Sequence, residues 1–144
     1  MKKIPFALLA LALLAVSACG ASRQSTPMIE VSDLLHHRFI IESVNGVPFT
    51  SEFRTPAIEF NEGMLLTGQI CNNFRGKGVL KDGVLTMDQA AATMMLCPDP
   101  ALNDLERSLF KMLHEGVNIQ REGEKLTLQR DDKTLVFTLR DYVS

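Results

Sequence analysis

Three cysteines and three histidines are the residues of this 144-residue chain that could carry covalent or metal chemistry. A thiol nucleophile at Cys71 or Cys97 would need a histidine beside it as general base. The histidines are His36, His37 and His114. On a strand, His36 and His37 would point to opposite faces and could not share an ion. His114 lies far along the chain, at the end of an expected helix, so no metal site is expected. There is no Gly-x-Ser-x-Gly elbow, and the carboxylates are scattered over turns without an obvious acid–base pair. Gly76-Lys77-Gly78 lacks the strand–loop–helix setting that aims backbone amides at a phosphate. It reads as a glycine-rich bend in a curved sheet. The chain is therefore expected to be non-enzymatic, with no catalytic residues, no metal and no cofactor. Asn72-Asn73-Phe74-Arg75 is polar with one aromatic and one arginine, the types that anchor partners. It is a candidate partner-binding loop, with local backbone capping by Asn72 as the competing role.

The third cysteine has a different setting. Lys2 and Lys3 precede an apolar run from Ile4 to Val16, and Ser17-Ala18 lead into Cys19. A basic start, a short apolar run and small residues at the cut are the layout of a secretory signal peptide. The run is too short to cross a hydrocarbon core of roughly 30 Å. The cysteine after the small residues looks like a bacterial lipobox, which implies cleavage before Cys19 and lipidation of its sulfur and new amino group. An ordinary signal peptide with an incidental cysteine is the competing reading. Gly20 stands where many inner-membrane lipoproteins carry Asp, so the outer membrane, facing the periplasm, is the expected location. The expected division is a signal peptide at 1–18, a lipidated cysteine and flexible tether at 19–30, and one domain at 31–144. The acyl chains would be the membrane attachment, and multiple chains make such anchoring stable.

The full chain has 15 Lys+Arg and 17 Asp+Glu. Without Lys2 and Lys3 the balance is 13 against 17, a formal charge of −4. Nucleic-acid binding is disfavoured, because no basic patch is available to neutralise phosphates. In an oxidising compartment Cys71 and Cys97 would form one disulfide. Closing that loop would stabilise the fold by roughly 3 kcal/mol in the chain-entropy model. Two buried free thiols are the alternative.

These residues need elements to position them. His37 to Val44 is β-branched and aromatic and ends at Asn45-Gly46, a strong tight-turn signal. Pro48 in the following Val47-Pro48-Phe49 predicts an edge or an irregular return. Short strands are expected at Ala57–Phe60 and Met64–Ile70. Gly76–Leu80 and Val84–Met87 flank an Asp82-Gly83 turn. Ala90 to Cys97 is ambiguous: its Ala and Met content favours helix, its position before a helix start favours extended chain. Pro100 to Glu115 is the clear helix. Asp99 can cap it, Pro100 suits its first position, and Leu102, Leu105, Leu109, Met112 and Leu113 share one face. Gly116 is a natural stop. Strands follow at Val117–Arg121, Lys125–Gln129 and Thr134–Tyr142. The class is α+β: about seven or eight antiparallel strands surround one substantial helix. Met64, Met87, Met94, Met95 and Met112 fall in the domain. Adaptable thioethers suit irregular cores or promiscuous grooves, and core packing is the expectation.

Three segments resemble the META domain, a module of heat-shock lipoproteins. His36 to Gly46 resembles its opening strand. Cys71-Asn72-Asn73-Phe74-Arg75-Gly76 looks like its Cys-Asn motif, and Thr93-Met94-Met95-Leu96-Cys97 like its Thr-x-Met-x-Cys motif. The helix carrying Glu106 and Leu113 follows at the expected distance, and the match spans about Ser32 to Tyr142. Phe39 stands where many members carry Trp, and Ile70 where many carry Gly. The resemblance implies a compact sheet curved towards a barrel with the helix packed on it. It also implies a role in the envelope stress response, with a contribution to antibiotic tolerance, and supplies no catalytic set. The expected function is a non-enzymatic binding or assembly module that meets an envelope protein. A carrier or chaperone for an apolar ligand is the alternative.

Overall fold

The computed structural model describes Lys3, Gly20 and residues 25–142. Cys19 and the expected signal peptide, Lys3 apart, lie outside the described residues. Nine strands and one long helix follow in order: β1 (His37–Val44), β2 (Val47–Pro48), β3 (Ala57–Asn61), β4 (Leu65–Gln69), β5 (Asn73–Lys81), β6 (Val84–Ala92), α1 (Pro100–Glu115), β7 (Val117–Glu122), β8 (Lys125–Arg130) and β9 (Lys133–Tyr142). All pairings are antiparallel, and β1 hydrogen-bonds to β3 on one side and to β9 on the other. The sheet therefore closes into an eight-stranded barrel, with β2 as a two-residue addition paired to the end of β1. The short β2 carries the proline that sequence placed at an edge.

Turn chemistry sets the hairpin registers. Asn45 and Gly46 both have positive φ, 50° and 78°, as do Asp82 and Gly83 at 50° and 73°. That pairing matches the twist of the strands they join. Asn45 does more, because its side chain accepts from the Thr134 amide at 2.7 Å and ties the first hairpin to β9.

An eight-stranded barrel is just wide enough for side chains to fill. Alternation along each strand points Phe39, Phe60, Leu66, Leu85, Ile119, Leu126, Leu128, Leu135 and Phe137 inward, all essentially without solvent exposure. Phe39 and Phe60 meet edge to face at 6.0 Å between ring centres, a favoured geometry for aromatic pairs. On β5 the inward positions are Phe74, Gly76 and Gly78. A Cβ at Gly78 would lie 2.3 Å from Leu66 Cδ1, and one at Gly76 would lie 2.5 Å from Met87 Cγ. The glycines thus leave room for the larger side chains of neighbouring strands. Outside the barrel, Glu42 bridges Lys125 and Thr138 across the β8–β9–β1 seam. The Lys125 ammonium, then the Thr138 hydroxyl, hold the Glu42 carboxyl below its ordinary range.

The ladder is thin at one place. β6 and β7 share only two paired positions, Val84 with Asn118 and Leu85 with Val117. The helix lies against β6 there. Asp99 caps it by accepting from the Ala101 amide at 2.9 Å. It buries Leu102, Leu105, Leu109, Met112 and Leu113, each worth roughly 1.5–3 kcal/mol of apolar burial.

One ambiguity resolves and two expectations need correction. Ala90 to Cys97 contains no helix: strand runs to Ala92 and irregular chain follows. A bulge sits where Gly76 of β5 passes Gln89 and Ala90 of β6, with Gln89 at a φ of 52°. Met64, Met87 and Met112 are core residues, but Met94 and Met95 are exposed. The tether is shorter than its composition implied, because Ile29 is buried in the main core.

Gly68 offers a test of the packing. A Cβ there would fall 2.5 Å from the Phe74 ring and 2.6 Å from the Ala57 carbonyl oxygen. Backbone on one side and a buried ring on the other leave no easy relief. Gly68→Ala is expected to lower unfolding free energy by about 1–3 kcal/mol, the usual cost of overpacking. Urea denaturation followed by circular dichroism checks it, and an unchanged midpoint would mean that the ring can move.

Candidate functional site

One end of the barrel carries a partly buried polar cluster centred on Asn72. Cys71, between β4 and β5, is disulfide-bonded to Cys97, just before α1, with Cα atoms 5.8 Å apart. The bond fastens the segment between β6 and the helix to the barrel. The two cysteines pack with Leu102 and Phe49 in a small apolar cluster separate from the main core.

Asn72 is the centre of the hydrogen bonding. It is the one buried polar side chain among the described residues. Its Oδ1 accepts from the Thr93 hydroxyl at 2.9 Å and from the Met95 amide at 2.6 Å. Its Nδ2 donates to the Met95 carbonyl at 3.1 Å and to Glu106 Oε1 at 2.6 Å. The backbone amide of Asn72 donates to Glu106 Oε2, also at 2.6 Å. Both Glu106 oxygens are therefore engaged, in the short range of charge-assisted bonds. Thr93 exchanges further bonds with Asn73, from its amide to the Asn73 carbonyl and from the Asn73 amide to its hydroxyl. At the other end of the segment, Asn103 on α1 accepts from the Cys97 amide at 3.0 Å and donates to the Cys97 carbonyl at 2.9 Å.

Thr93 to Cys97 is thus irregular chain held at both ends and in the middle. Its side chains are not held. Met94 is 98% exposed, Met95 51% and Leu96 86%. Three consecutive apolar side chains stand in solvent on a fixed backbone. A groove of about 830 Å³ is lined by Thr50, Ser51, Glu52, Phe53, Pro98 and Asp99, the last two just after Cys97 in the chain, and Phe53 is half exposed. Exposed apolar patches mark interaction sites or liabilities.

The residues singled out from sequence fall in different places. Cys71 and Cys97 are brought together. Asn72, Asn73, Phe74 and Arg75 do not form an exposed loop. Asn73 onward is strand, so alternation turns Asn73 and Arg75 outward and Phe74 inward, where its ring meets Phe110 edge to face at 5.2 Å. Asn72 does cap backbone, but through partners at Met95 and Glu106 rather than locally. His36 pairs with Glu62 at 3.1 Å, and His37 Nδ1 lies 3.3 Å from the Leu34 carbonyl. Among the described residues no group of three or more His, Cys, Asp or Glu side chains converges as a metal site. Sequence reasoning placed Glu106 on the helix without its partner and gave no role to Asn103. Thr93 was flagged within a motif, without its partner.

Comparison with known proteins agrees with this arrangement. Residues 32–142 match the META domain. The chain is 39% identical to Heat shock protein HslJ of Escherichia coli (strain K12), over 144 residues and the whole of both chains. A protein solved by NMR is 42% identical, with a TM-score of 0.73, covering 79% of this chain and 97% of its own. An NMR structure of a protein from Burkholderia xenovorans has a TM-score of 0.62 at 17% identity, covering 95% of this chain and 99% of its own. That last likeness is one of fold alone.

Removing the Asn72 amide would leave the Met95 amide and carbonyl and one Glu106 oxygen without a partner in a place with little water. Asn72→Ala is expected to cost about 2–3 kcal/mol, more than a neutral surface bond, because buried groups are stranded. Urea denaturation measures the loss. Hydrogen exchange at the Met95 amide should accelerate more than exchange at Phe39. Equal acceleration at both sites would mean that Asn72 supports the whole fold rather than this segment.

Proposed function

The chain belongs to the META domain family, and we propose that it is a lipid-anchored outer-membrane lipoprotein, facing the periplasm, that serves the envelope heat-shock response as a non-enzymatic binding or assembly module. In that role it contributes to antibiotic tolerance. The anchor reading rests on the run from Lys2 to Cys19. The stress setting rests on the full-length similarity to a protein named for heat shock. One observation carries the binding reading: Thr93–Cys97 is clamped through its backbone while Met94 and Leu96 project almost wholly into solvent. A segment needed only to link β6 to α1 would be expected to bury such residues or to be polar.

The alternative of a carrier for an apolar ligand is weaker. The barrel interior is occupied by Phe39, Phe60, Phe137 and the aliphatics around them. A cargo would have to sit on the surface.

Two variants separate anchoring from binding. Cys19→Ser should abolish labelling with an alkyne fatty acid and release the protein from the outer-membrane fraction. Met94→Asp with Leu96→Asp should leave thermal unfolding unchanged within a few degrees, because neither side chain is packed. The same double variant should fail to restore growth at high temperature, or with antibiotic, to cells lacking the protein. Full rescue by it would remove the binding reading, and fatty-acid labelling that survives Cys19→Ser would remove the anchor.

A further inference from the structure

Strand β6 is paired on both sides along only part of its length, and its open side leads directly into Met94–Leu96. We infer that this edge, from Ala90 through Leu96, takes an extended segment of a protein partner as an added strand, and that Arg75 holds a carboxylate of that segment. The inference rests on the binding-module reading and adds the mode of binding and the partner's charge.

The edge is set by the backbone. β5 lines one side of β6 as far as Ala92, while β7 meets the other side only at Val84 and Leu85. The helix lies against the inner side of this pair, with Phe110 on Phe74. An α-helix bonds its own backbone, so it cannot pair with a strand. Every residue from Asp88 to Leu96 is exposed. Beyond the ladder the bonding alternates along the chain. The Thr93 amide bonds to Asn73, the Met95 amide and carbonyl to Asn72, and the Cys97 amide and carbonyl to Asn103. Among the described residues the amides and carbonyls of Met94 and Leu96, which lie between these, have no hydrogen-bond partner. By the same alternation Ala92, next to Thr93, turns its groups away from β5. Ala92, Met94 and Leu96 therefore present a row of free donors and acceptors, the template on which a foreign strand pairs. The bulge at Gln89, with its φ of 52°, ends that row on the other side.

The charge comes from the neighbouring strand. Ala91 pairs with Arg75, which points outward from β5. Arg75, Ala91, Ala92 and Thr93 line one shallow depression of about 370 Å³. Among the described residues Arg75 has no ion-pair partner. An added strand would lie two strand spacings from β5, about 9.6 Å, and the small Ala91 side chain leaves the way between them open. A glutamate or aspartate opposite Ala91 is the complement of the Arg75 guanidinium. The carboxylate that β6 itself carries, Asp88, lies beyond the bulge, opposite Lys77. A second copy pairing antiparallel would have to set that Asp88 opposite Ala91. Both Gln89 bulges would then sit at the centre of the pairing, so self-pairing is disfavoured.

The test titrates the full-length protein, purified in detergent, with fluorescent octapeptides. The first alternates valine with glutamate and threonine, and the second has lysine for glutamate. Two more are N-methylated versions of the first, one on the valines and one on the other residues, so each loses the amides of one edge. The glutamate peptide should bind about tenfold or more tighter than the lysine peptide, and Arg75→Glu should reverse that order. Of the methylated pair, one should bind like its parent and the other should lose about tenfold or more, because a strand pairs through alternate amides. Met94→Pro removes only an amide without a partner, so thermal unfolding should stay within a few degrees while peptide binding is lost. Equal binding of the two methylated peptides, a charge order unchanged by Arg75→Glu, binding that survives Met94→Pro, or no peptide binding at all would overturn the proposal. So would a dimer in sedimentation that Met94→Pro dissolves. Burial of an environment-sensitive dye at position 96 by vesicles of phosphatidylethanolamine with phosphatidylglycerol, without peptide, would do the same. If the peptides fail while the Met94→Asp, Leu96→Asp double variant still cannot rescue growth, the mode is wrong and the binding module stands. If the double variant rescues growth, both fall together.

Discussion

Closure of the sheet at β1 is the constraint from which the rest follows. Because β1 is bonded to β3 and to β9, seven of the eight strand junctions run as ordinary ladders. Such closure removes the exposed edges that otherwise recruit foreign strands. The remaining junction, between β6 and β7, has two paired positions. Strand β6 continues past it for seven more residues, and something other than a strand must cover that stretch. The chain solves this by inserting α1 between the two strands. The helix leaves β6 at one end of the barrel and returns to it at the other, where Gly116 lies close to Val84 and Thr86. An amphipathic helix is the element that can seal such a gap, since it satisfies its own backbone and offers one apolar stripe.

Sealing the gap creates a second problem at the helix start. The chain must cross from the end of β6 to Pro100 over the barrel rim, where no ladder is available to bond its backbone. Buried or half-buried backbone groups without partners are costly. Asn72 supplies the missing partners. Its side chain presents one acceptor and two donors, and the Met95 amide and carbonyl use both kinds at once, as a neighbouring strand would. Glu106 then completes the amide and takes the Asn72 backbone N–H, which couples the helix to the same point. The disulfide and Asn103 fasten the remaining end at Cys97. Covalent, ionic and neutral bonds thus converge on one short crossing, because that crossing is where the fold lacks a sheet to rely on.

This division explains what could be read from the residues in order. Asn45-Gly46, Asp82-Gly83 and the Asp99-Pro100 start act through their own φ values and caps, and the elements they bound were legible. The helix face was legible because its period is local. Barrel closure was not, since nothing in β1 or β9 announces that they pair across most of the chain; only the family resemblance pointed towards a barrel. The Asn72–Glu106–Met95 cluster was hidden for the same reason: its members lie 34 and 23 residues apart. Met94 and Met95 were misread because residue type alone carries no direction. A methionine is normally buried, and only the clamped backbone turns these two outward. Ile29 was misread the opposite way, as part of a flexible tether, although its side chain joins the core.

The exposed segment combines two properties that usually exclude each other. Its backbone is ordered before any partner arrives, so a partner meeting it would not have to order the chain first. Conformational ordering is one of the main costs of association. Its side chains are among the most adaptable in proteins, with three rotatable bonds in each methionine and a polarisable sulfur. A stiff frame with soft contacts suits recognition of a class of apolar surfaces better than recognition of one shape. It also accounts for the density of bonds at Asn72. Three apolar side chains in water would draw a free segment towards other apolar surface. Bonds at the Met95 amide and carbonyl, with Cys97 tied by its disulfide and by Asn103, hold the backbone against such a movement while Met94 and Leu96 stay exposed.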